Sequence, residues 1–413
     1  MTQNTTAHMN ASEAKPIVIR RQMQAPSGLG FVFKVTERCN LACPYCYFFF
    51  AGDESYKEHP ALVPPETVGG LIAFVKDAVE SSGVSYVSIG FHGGEPLLLK
   101  KSYFAEICQR LRAELEPSCK LRLSLQTNGV LLDEEWIALF QIYQVSIGVS
   151  FDGDETAHNR TRITKKGKGT YAETLHGWRM LIAAHRAGKI VRPYILCVVS
   201  PAADGAATLR HFTDELGATG MDFLLPDITH DSLDANKKFV DACEKYLIDV
   251  CNEWLRFPPG RIRIRFIDEI VKAFLDDDAM ADSAMNKYDS SALMTVSSDG
   301  TLSSDDAFRS LSLRFRNTGF NVKNHTYADL QQSDVWSELY SAEKVLPQKC
   351  ESCLWRNVCR GGAKQHRFSL RNGFNNPSLY CKALANVYGF LASELIRGGS
   401  PACEIEERLG MRY

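Results

Sequence analysis

The sequence predicts an α/β protein whose parallel sheet of six strands curls into a partial (β/α) barrel. Short apolar runs alternate with stretches of helical length between residues 31 and 225, as in βαβ units. Several polar or glycine-rich motifs each follow one of these runs closely. Because ligand sites of parallel sheets lie at the carboxyl ends of the strands, we expect these motifs to meet at one rim. The predicted strands are residues 31–35, 84–90, 121–126, 145–151, 192–199 and 221–225, and the predicted helices lie near 66–81, 103–115, 134–142, 171–187 and 206–216.

The chain of 413 residues is long enough for two or three structural units. Residues 1–28 are polar and are predicted to form a flexible arm, and residues 29–226 hold the six βα units. Residues 227–345 are predicted to bridge the two ends of the chain and to offer a surface to the substrate. Residues 346–413 form a cysteine-rich extension with a C-terminal helix.

Composition narrows the class of protein. The formal net charge is -2 and the pI is about 6.6, so nothing suggests a nucleic-acid partner. The N-terminus lacks an apolar signal segment, and no apolar run reaches the length of about 18 residues that marks a membrane span. Because the 13 cysteines are odd in number in a long chain, we expect reduced thiols and a cytoplasmic location, where clustered cysteines bind metal or do chemistry.

Three cysteines lie within eight residues after the first strand, in the spacing C-x3-C-x2-C at Cys39, Cys43 and Cys46. Thiolates suit both zinc and iron–sulfur clusters. A structural zinc site needs four ligands, whereas the nearest histidine here is His59. Three thiolates instead hold three irons of a cubane and leave the fourth iron open to a small molecule.

The run Cys39-x3-Cys43-Pro44-Tyr45-Cys46 resembles the signature of the radical S-adenosylmethionine (SAM) superfamily. The resemblance implies a 4Fe–4S cluster whose open iron binds SAM, and it places Tyr45 among the cofactor contacts. Reductive cleavage of SAM would give a 5′-deoxyadenosyl radical that abstracts hydrogen from an unactivated carbon. The competing interpretation is a zinc-binding interaction module without enzymatic activity.

Two further motifs resemble SAM contacts of the superfamily. Gly93, Gly94, Glu95 and Pro96 follow the second strand, where glycines let backbone approach a ligand and Glu95 would accept from the SAM ammonium group. A turn that merely ends the strand is the competing interpretation.

The fourth strand ends in a second such motif. Ser150 and Asp152 point the same way and are predicted to reach the SAM ribose, while Arg162 would pair with the SAM carboxylate. This arrangement is similar to that of peptide-modifying members such as sulfatase maturases. The alternative is a capping pair with a surface arginine.

A second group of cysteines lies near the C-terminus, at Cys350, Cys353, Cys359 and Cys381. Four thiolates suffice for one 4Fe–4S cluster or one zinc ion, and the spacing alone does not choose. The group resembles the SPASM extension of radical SAM peptide maturases, which houses two auxiliary clusters.

The chain departs from the SPASM pattern in a consistent way. Ala363 occupies one position where the family has cysteine, and Asp305 occupies another, five residues after Gly300. No cysteine occurs between Cys251 and Cys350. The ligands of the family's first auxiliary cluster are therefore missing, and the resemblance implies one auxiliary cluster.

Asp306 directly follows that lost position. In sulfatase maturases the matching place holds an aspartate that acts as a base, so Asp306 is the predicted catalytic residue. The competing interpretation is an exposed turn residue in the run Ser-Ser-Asp-Asp.

The most specific resemblance is to maturases that form three-residue cyclophanes in ribosomal peptides. It depends on Phe33-Lys34-Val35, Pro226-Asp227, Cys359-Arg360-Gly361-Gly362 and the run from Asn372 to Cys381. It implies a C–C crosslink between an aromatic ring and the β-carbon of a nearby residue. The implied partners are a ribosomal precursor peptide and a reductant such as flavodoxin or ferredoxin. The alternatives are an anaerobic sulfatase maturase, which makes formylglycine, and a thioether-forming maturase.

Overall fold

The computed structural model describes residues 28–232, 236–275 and 292–410. Nearly all of the predicted N-terminal arm therefore lies outside the described residues. Among the described residues, no helix combines the length and apolar character that crossing a bilayer requires.

The described strands form a single sheet of nine strands in the order β7-β6-β5-β4-β3-β2-β1-β8-β9. Strands β1 to β6 are the six predicted ones, each paired in parallel with its successor. The predicted fold class, a parallel (β/α) arrangement with a C-terminal cysteine-rich extension, is confirmed. The strands are Gly28–Thr36, Tyr86–Gly93, Lys120–Thr127, Ser146–Ser150, Tyr194–Val198, Gly220–Leu224, Arg263–Ile264, Leu293–Val296 and Leu302–Ser303.

Three strands were not predicted. β7 and β9 have two residues each and β8 has four, too few for a periodic pattern to emerge from the sequence. β8 pairs in parallel with β1, and β9 returns antiparallel to β8. The sheet thus extends beyond residue 226, although the predicted domain boundaries themselves stay a prediction. This β8–β9 hairpin carries Asp306 to the edge of the sheet beside β1.

Helices follow the strands as the sequence predicts. Acidic caps fix several of their first turns, as where the Asp133 carboxylate accepts from the Trp136 amide at 2.9 Å. The predicted helix at 206–216 is divided into an α-helix and a π-helical turn, His211–Glu215. The α-helices are Tyr47–Phe50, Pro65–Ser82, Lys101–Leu115, Glu134–Ile142, Glu155–Thr161, Tyr171–Arg186, Gly205–Arg210, Lys237–Trp254, Arg265–Leu275, Leu313–Arg316, Tyr327–Gln331, Asp334–Lys344, Arg356–Cys359, Cys381–Arg397 and Ala402–Arg408.

One apolar core runs from the barrel into the C-terminal extension. The helix Cys381–Arg397 packs against both Lys237–Trp254 and Arg265–Leu275, which in turn contact the end of the sheet. A smaller aromatic cluster around Phe308, Phe315 and Phe374 joins the segment after β9 to the extension. Burying these faces holds the C-terminal extension against the barrel.

Candidate active site

The first cysteine group lies on the loop between β1 and the short helix Tyr47–Phe50. Cys39, Cys43 and Cys46 are all partly exposed, and the Cys46 amide donates to the Cys43 carbonyl at 3.0 Å. Burial raises the pKa of all three thiols, that of Cys39 to about 12. Binding of a metal cluster to these cysteines therefore has to displace the thiol protons.

Gly93 and Gly94, at the end of β2, lie where the chain passes too close to the backbone of Thr36–Cys39 to leave room for a side chain. A Cβ on Gly94 would lie 2.2 Å from the Arg38 carbonyl oxygen, and one on Gly93 would lie 2.0 Å from that of Thr36. The Gly94 amide donates to the Thr36 carbonyl at 2.9 Å, so the turn lies directly on the backbone that leads into Cys39. The Gly-Gly pair thus positions the cysteine loop as well as leaving backbone open to a ligand.

We expect Gly94→Ala to impair cluster assembly. The added methyl group must push the Arg38–Cys39 peptide away, and such overpacking costs about 1–3 kcal/mol. Iron content per chain and thermal denaturation measure the effect. Gly69→Ala is the matched control, because its Cβ would meet only Arg110 Nη2, at 3.6 Å, from within a helix. Equal iron content in the two variants would contradict this role of Gly94.

Glu95 is buried at the same turn and already has three donors. Its carboxylate accepts from the Thr127 hydroxyl at 2.7 Å, the Asn128 amide at 2.8 Å and the Leu97 amide at 3.1 Å. Burial raises the pKa of Glu95 to about 7, against the lowering effect of these donors. The side chain ties the end of β2 to the end of β3, and buried Pro96 opens the next turn. Contact of Glu95 with the SAM ammonium group stays a prediction.

Asp152, at the end of β4, lies next to the cysteine loop. Its carboxylate accepts from the Tyr45 hydroxyl at 2.5 Å and forms an ion pair with Arg162 Nε at 3.0 Å. Arg162 is buried and faces the Tyr45 ring, so it is not the surface arginine of the competing interpretation. Ser150 lies on the same strand and accepts weakly from Gln126 at 3.4 Å. The structure brings these predicted residues together, while their contacts with SAM stay predictions.

Asp306 is buried beside the cysteine loop. Its Oδ2 atom accepts from Lys34 Nζ at 2.7 Å and from the Tyr47 hydroxyl at 2.5 Å, and it lies 3.9 Å from His92 Nδ1. Only 4% of Asp306 is exposed, so the competing interpretation as an exposed turn residue is wrong. Because Tyr47 directly follows Cys46, one hydrogen bond connects the carboxylate to the cysteine loop.

The charge state of this group follows from its partners. Burial acts to raise the pKa of Asp306, but the Lys34 ammonium and neighbouring Arg309 outweigh it, and the pKa is lowered. Burial lowers the pKa of His92 to about 4, so this imidazole is neutral near pH 7. Oδ1 of Asp306 is buried without a hydrogen-bond partner among the described residues. The site therefore holds an ionised carboxylate with one unused acceptor atom.

Sequence reasoning missed the residues that hold Asp306 in place. Lys34 is fully buried in β1, and its ammonium lies 3.8 Å from the centroid of the Phe48 ring. Arg309 lies 5.7 Å from the centroid of the same ring and pairs with buried Asp53 at 3.1 Å. A lysine inside an apolar strand was the one available signal, since Lys34 stands between Phe33 and Val35. Arg309 and Asp53 are 256 residues apart, and the sequence contained no signal that they would pair.

The C-terminal cysteines come together around the turn Arg356–Cys359. Cys350 is buried, Cys353 and Cys359 are partly exposed, and Cys381 begins the helix that packs on the barrel. Each of these thiols interacts electrostatically with at least one other of the four. All four predicted ligands of the auxiliary cluster therefore lie in the same part of the extension.

Among the residues that the structure describes, no three His, Cys, Asp or Glu side chains converge closely enough to hold a single metal ion. A 4Fe–4S cluster makes a different demand, because each thiolate binds a separate iron and the sulfur atoms stand further apart. Three soft donors on one loop, and four in the extension, fit clusters of this kind. The three-thiolate loop favours an iron–sulfur cluster over a closed zinc site, which needs four ligands, while the four cysteines of the extension suit either.

Comparison with known proteins identifies the class. Residues 33–197 match the sequence profile of the radical SAM superfamily. The segment includes the cysteine loop, the Gly-Gly-Glu-Pro turn and the end of β4. Residues 33–197 therefore form a radical SAM domain, which indicates that the chain acts as a radical SAM enzyme. The predicted cofactors, SAM with 4Fe–4S chemistry, are confirmed at the level of this class.

Over most of its length, the chain is also similar to sulfatase-maturating enzymes. The chain is 24% identical over 369 residues to the cysteine-type anaerobic sulfatase-maturating enzyme of Clostridium perfringens (strain 13 / Type A), covering 87% of this chain and 94% of the relative. It is 23% identical to the serine-type enzyme of Bacteroides thetaiotaomicron, with 88% and 91% covered. The solved structure described as native anSMEcpe with bound AdoMet and Cp18Cys peptide superposes with a TM-score of 0.74 at 22% identity, covering 90% of this chain and 98% of that one.

Proposed function

We propose that this enzyme is a peptide maturase that takes hydrogen from a side-chain β-carbon and joins that carbon to a nearby aromatic ring. The observation that carries the proposal is the ionised, buried Asp306, connected through Tyr47 to the loop of Cys39, Cys43 and Cys46. A radical generated at that loop and a proton acceptor beside it are the two functions that such an oxidation requires.

The reaction balances with two one-electron events. Cys39, Cys43 and Cys46 would hold the cluster, and SAM bound there would supply the 5′-deoxyadenosyl radical. One hydrogen atom leaves the peptide β-carbon and becomes part of 5′-deoxyadenosine. The carbon radical adds to the ring, and loss of one electron and one proton restores aromaticity. The net change is two hydrogens lost per crosslink.

Asp306 is the proposed acceptor of that proton. Oδ2 is engaged by Lys34 and Tyr47, while Oδ1 lacks a partner among the described residues. A substrate hydrogen therefore has an acceptor atom available without breaking the ion pair. The Lys34 ammonium keeps the Asp306 carboxylate ionised, and so able to accept, before the substrate proton arrives. The same positive charge lowers the basicity of the carboxylate.

The electron is proposed to pass to a single auxiliary 4Fe–4S cluster on Cys350, Cys353, Cys359 and Cys381. Their placement around one turn supports this ligand set. The position of the family's other auxiliary cluster has Asp305, whose side chain instead accepts from the Ala307 amide at 3.0 Å. A reductant such as flavodoxin or ferredoxin is proposed to supply the electron that starts each cycle.

Around SAM, the proposed contacts are the Gly93–Gly94 backbone and the side chains of Tyr45, Glu95 and Arg162. Burial of Arg162 beside Asp152 supports a role in orienting an anionic group, since a guanidinium presents several donors in one plane. Ser150, the last residue of β4, and Asp152, two residues later, are proposed to face the ribose.

A peptide substrate is supported by the similar solved structure with a bound peptide. The names of the relatives favour a second candidate, conversion of a peptide cysteine or serine to formylglycine. Both reactions begin at a β-carbon, and Asp306 suits either of them. The missing ligands of one auxiliary cluster support the crosslinking reaction, because they set this chain apart from the sulfatase-maturase pattern.

The test is tandem mass spectrometry of a candidate ribosomal precursor peptide, chosen among small open reading frames near the gene, after anaerobic co-expression with the enzyme. We expect loss of two hydrogens and suppressed fragmentation across a three-residue window that contains an aromatic residue. A hydrazide reagent added to the same peptide reports aldehydes. A hydrazide-reactive product confined to one cysteine or serine would establish formylglycine formation and overturn the crosslink, and a cysteine sulfur bonded to carbon would establish a thioether.

A further inference from the structure

Five lysine or arginine side chains are buried among the described residues. Four of them lie close to a carboxylate: Lys34 to Asp306 at 2.7 Å, Arg162 to Asp152 at 3.0 Å, Arg309 to Asp53 at 3.1 Å and Lys364 to Glu343 at 2.9 Å. This regularity is expected, because an uncompensated buried charge is costly. Arg367 is the exception.

Arg367 is 2% exposed, and its guanidinium donates only to backbone carbonyls within the described part of the chain. These are Ala342 at 2.8 Å, Phe374 at 3.0 Å and Val345 at 3.3 Å. Carbonyl dipoles satisfy the donors but do not neutralise the charge. A guanidinium stays protonated at neutral pH even here, where burial lowers its pKa to about 10.

Arg367 instead lies near cysteines. Cys350 and Cys359, two of the proposed auxiliary-cluster ligands, would oppose its charge once they bind a cluster as thiolates. The geometry agrees, since Nη1 would lie 3.6 Å from a Cβ built on Gly361, two residues after Cys359. The positive φ angles of Gly361 and Gly362, 88° and 75°, turn the chain back so that Arg367 reaches this position.

We infer that Arg367 is the built-in counter-charge of the auxiliary cluster and raises its reduction potential, so that the cluster accepts the electron released by the substrate. This inference rests on the proposed function. A cluster bound by four thiolates is anionic and becomes more so on reduction. A fixed cation at its edge therefore stabilises the reduced state more than the oxidised one. Arg367 acts as a positioning residue through the field it exerts and does not contact the substrate.

The test measures the midpoint potential of the auxiliary cluster directly. A chain with Cys39, Cys43 and Cys46 replaced by alanine retains only the C-terminal ligands, so redox titration by electron paramagnetic resonance reports on that cluster alone. In this background we expect Arg367→Gln to shift the potential to more negative values and Arg367→Lys to leave it near the parent value. Arg309→Gln is the matched control, an equally buried cation whose charge Asp53 balances, and should change the potential little.

The outcomes separate this inference from the proposed function. An unchanged potential in Arg367→Gln, or an equal shift in Arg367→Lys, would overturn the role of the charge while the auxiliary cluster stands. Zinc instead of iron in the parent would overturn the auxiliary cluster itself. If Arg367→Gln assembles no cluster, the Arg367→His variant is measured instead. The potential of the cluster in Arg367→His should rise as the pH falls, because the imidazole gains charge. A pH-independent potential equal to that of Arg367→Lys would contradict the inference.

Discussion

Replacing Cys39, Cys43 or Cys46 with alanine should abolish SAM cleavage and all peptide modification. Each thiolate is proposed to hold one iron, and the three lie on one loop after β1 with no described fourth ligand that converges on them as a substitute. Release of 5′-deoxyadenosine under reducing conditions, measured by chromatography, should fall to the level of the uncatalysed reaction. Iron per chain should fall by one cluster and not by two.

Cys403→Ala serves as the matched control for this loss. Cys403 is exposed and isolated from both cysteine groups, so its removal should leave iron content and 5′-deoxyadenosine release unchanged. Retained SAM cleavage in any of the three loop variants would contradict the assignment of the first cluster. Loss of all iron in the loop variants would instead show that the auxiliary cluster cannot assemble alone.

Asp306→Asn should block the peptide product while SAM cleavage continues. Asparagine retains an oxygen that can accept from Tyr47 but has no charge with which to take a substrate proton. The same change leaves Lys34, fully buried, without its counter-ion, and breaking such a pair typically costs about 3–5 kcal/mol. Product by mass spectrometry, 5′-deoxyadenosine release and chemical denaturation are measured on one preparation.

The double variant Lys34→Met with Asp306→Asn separates catalysis from stability. Removing both charges eliminates the unpaired ammonium, so most of the lost stability should return. Product should remain absent, because no carboxylate is restored. If the double variant regains product together with stability, the effect of Asp306→Asn was structural and Asp306 is not the base. Lys34→Met alone, which leaves Asp306 ionisable but unpaired, should show reduced stability and retained SAM cleavage.

The alternation of strands and helices was sufficient to predict the barrel. All six central strands appear with each end within three residues of the predicted one, since apolar residues recur within each run and alternate positions are buried in the structure. The strands that the sequence did not predict are those of two to four residues. β8 forms on the edge of β1, β9 on that of β8 and β7 on that of β6, and pairing with an edge is a property of the assembled sheet.

The sequence by itself indicated the class of chemistry, because the spacing of ligands that are close along the chain identifies the kind of metal site they form. Cys39, Cys43 and Cys46 needed no tertiary information to indicate an iron–sulfur cluster. Only the tertiary structure decided which charges oppose one another. Lys34 and Asp306 are 272 residues apart, and Arg367 meets no carboxylate that the structure describes. Spacing does not encode such pairs, because the cost of burying a charge depends on what the fold places beside it.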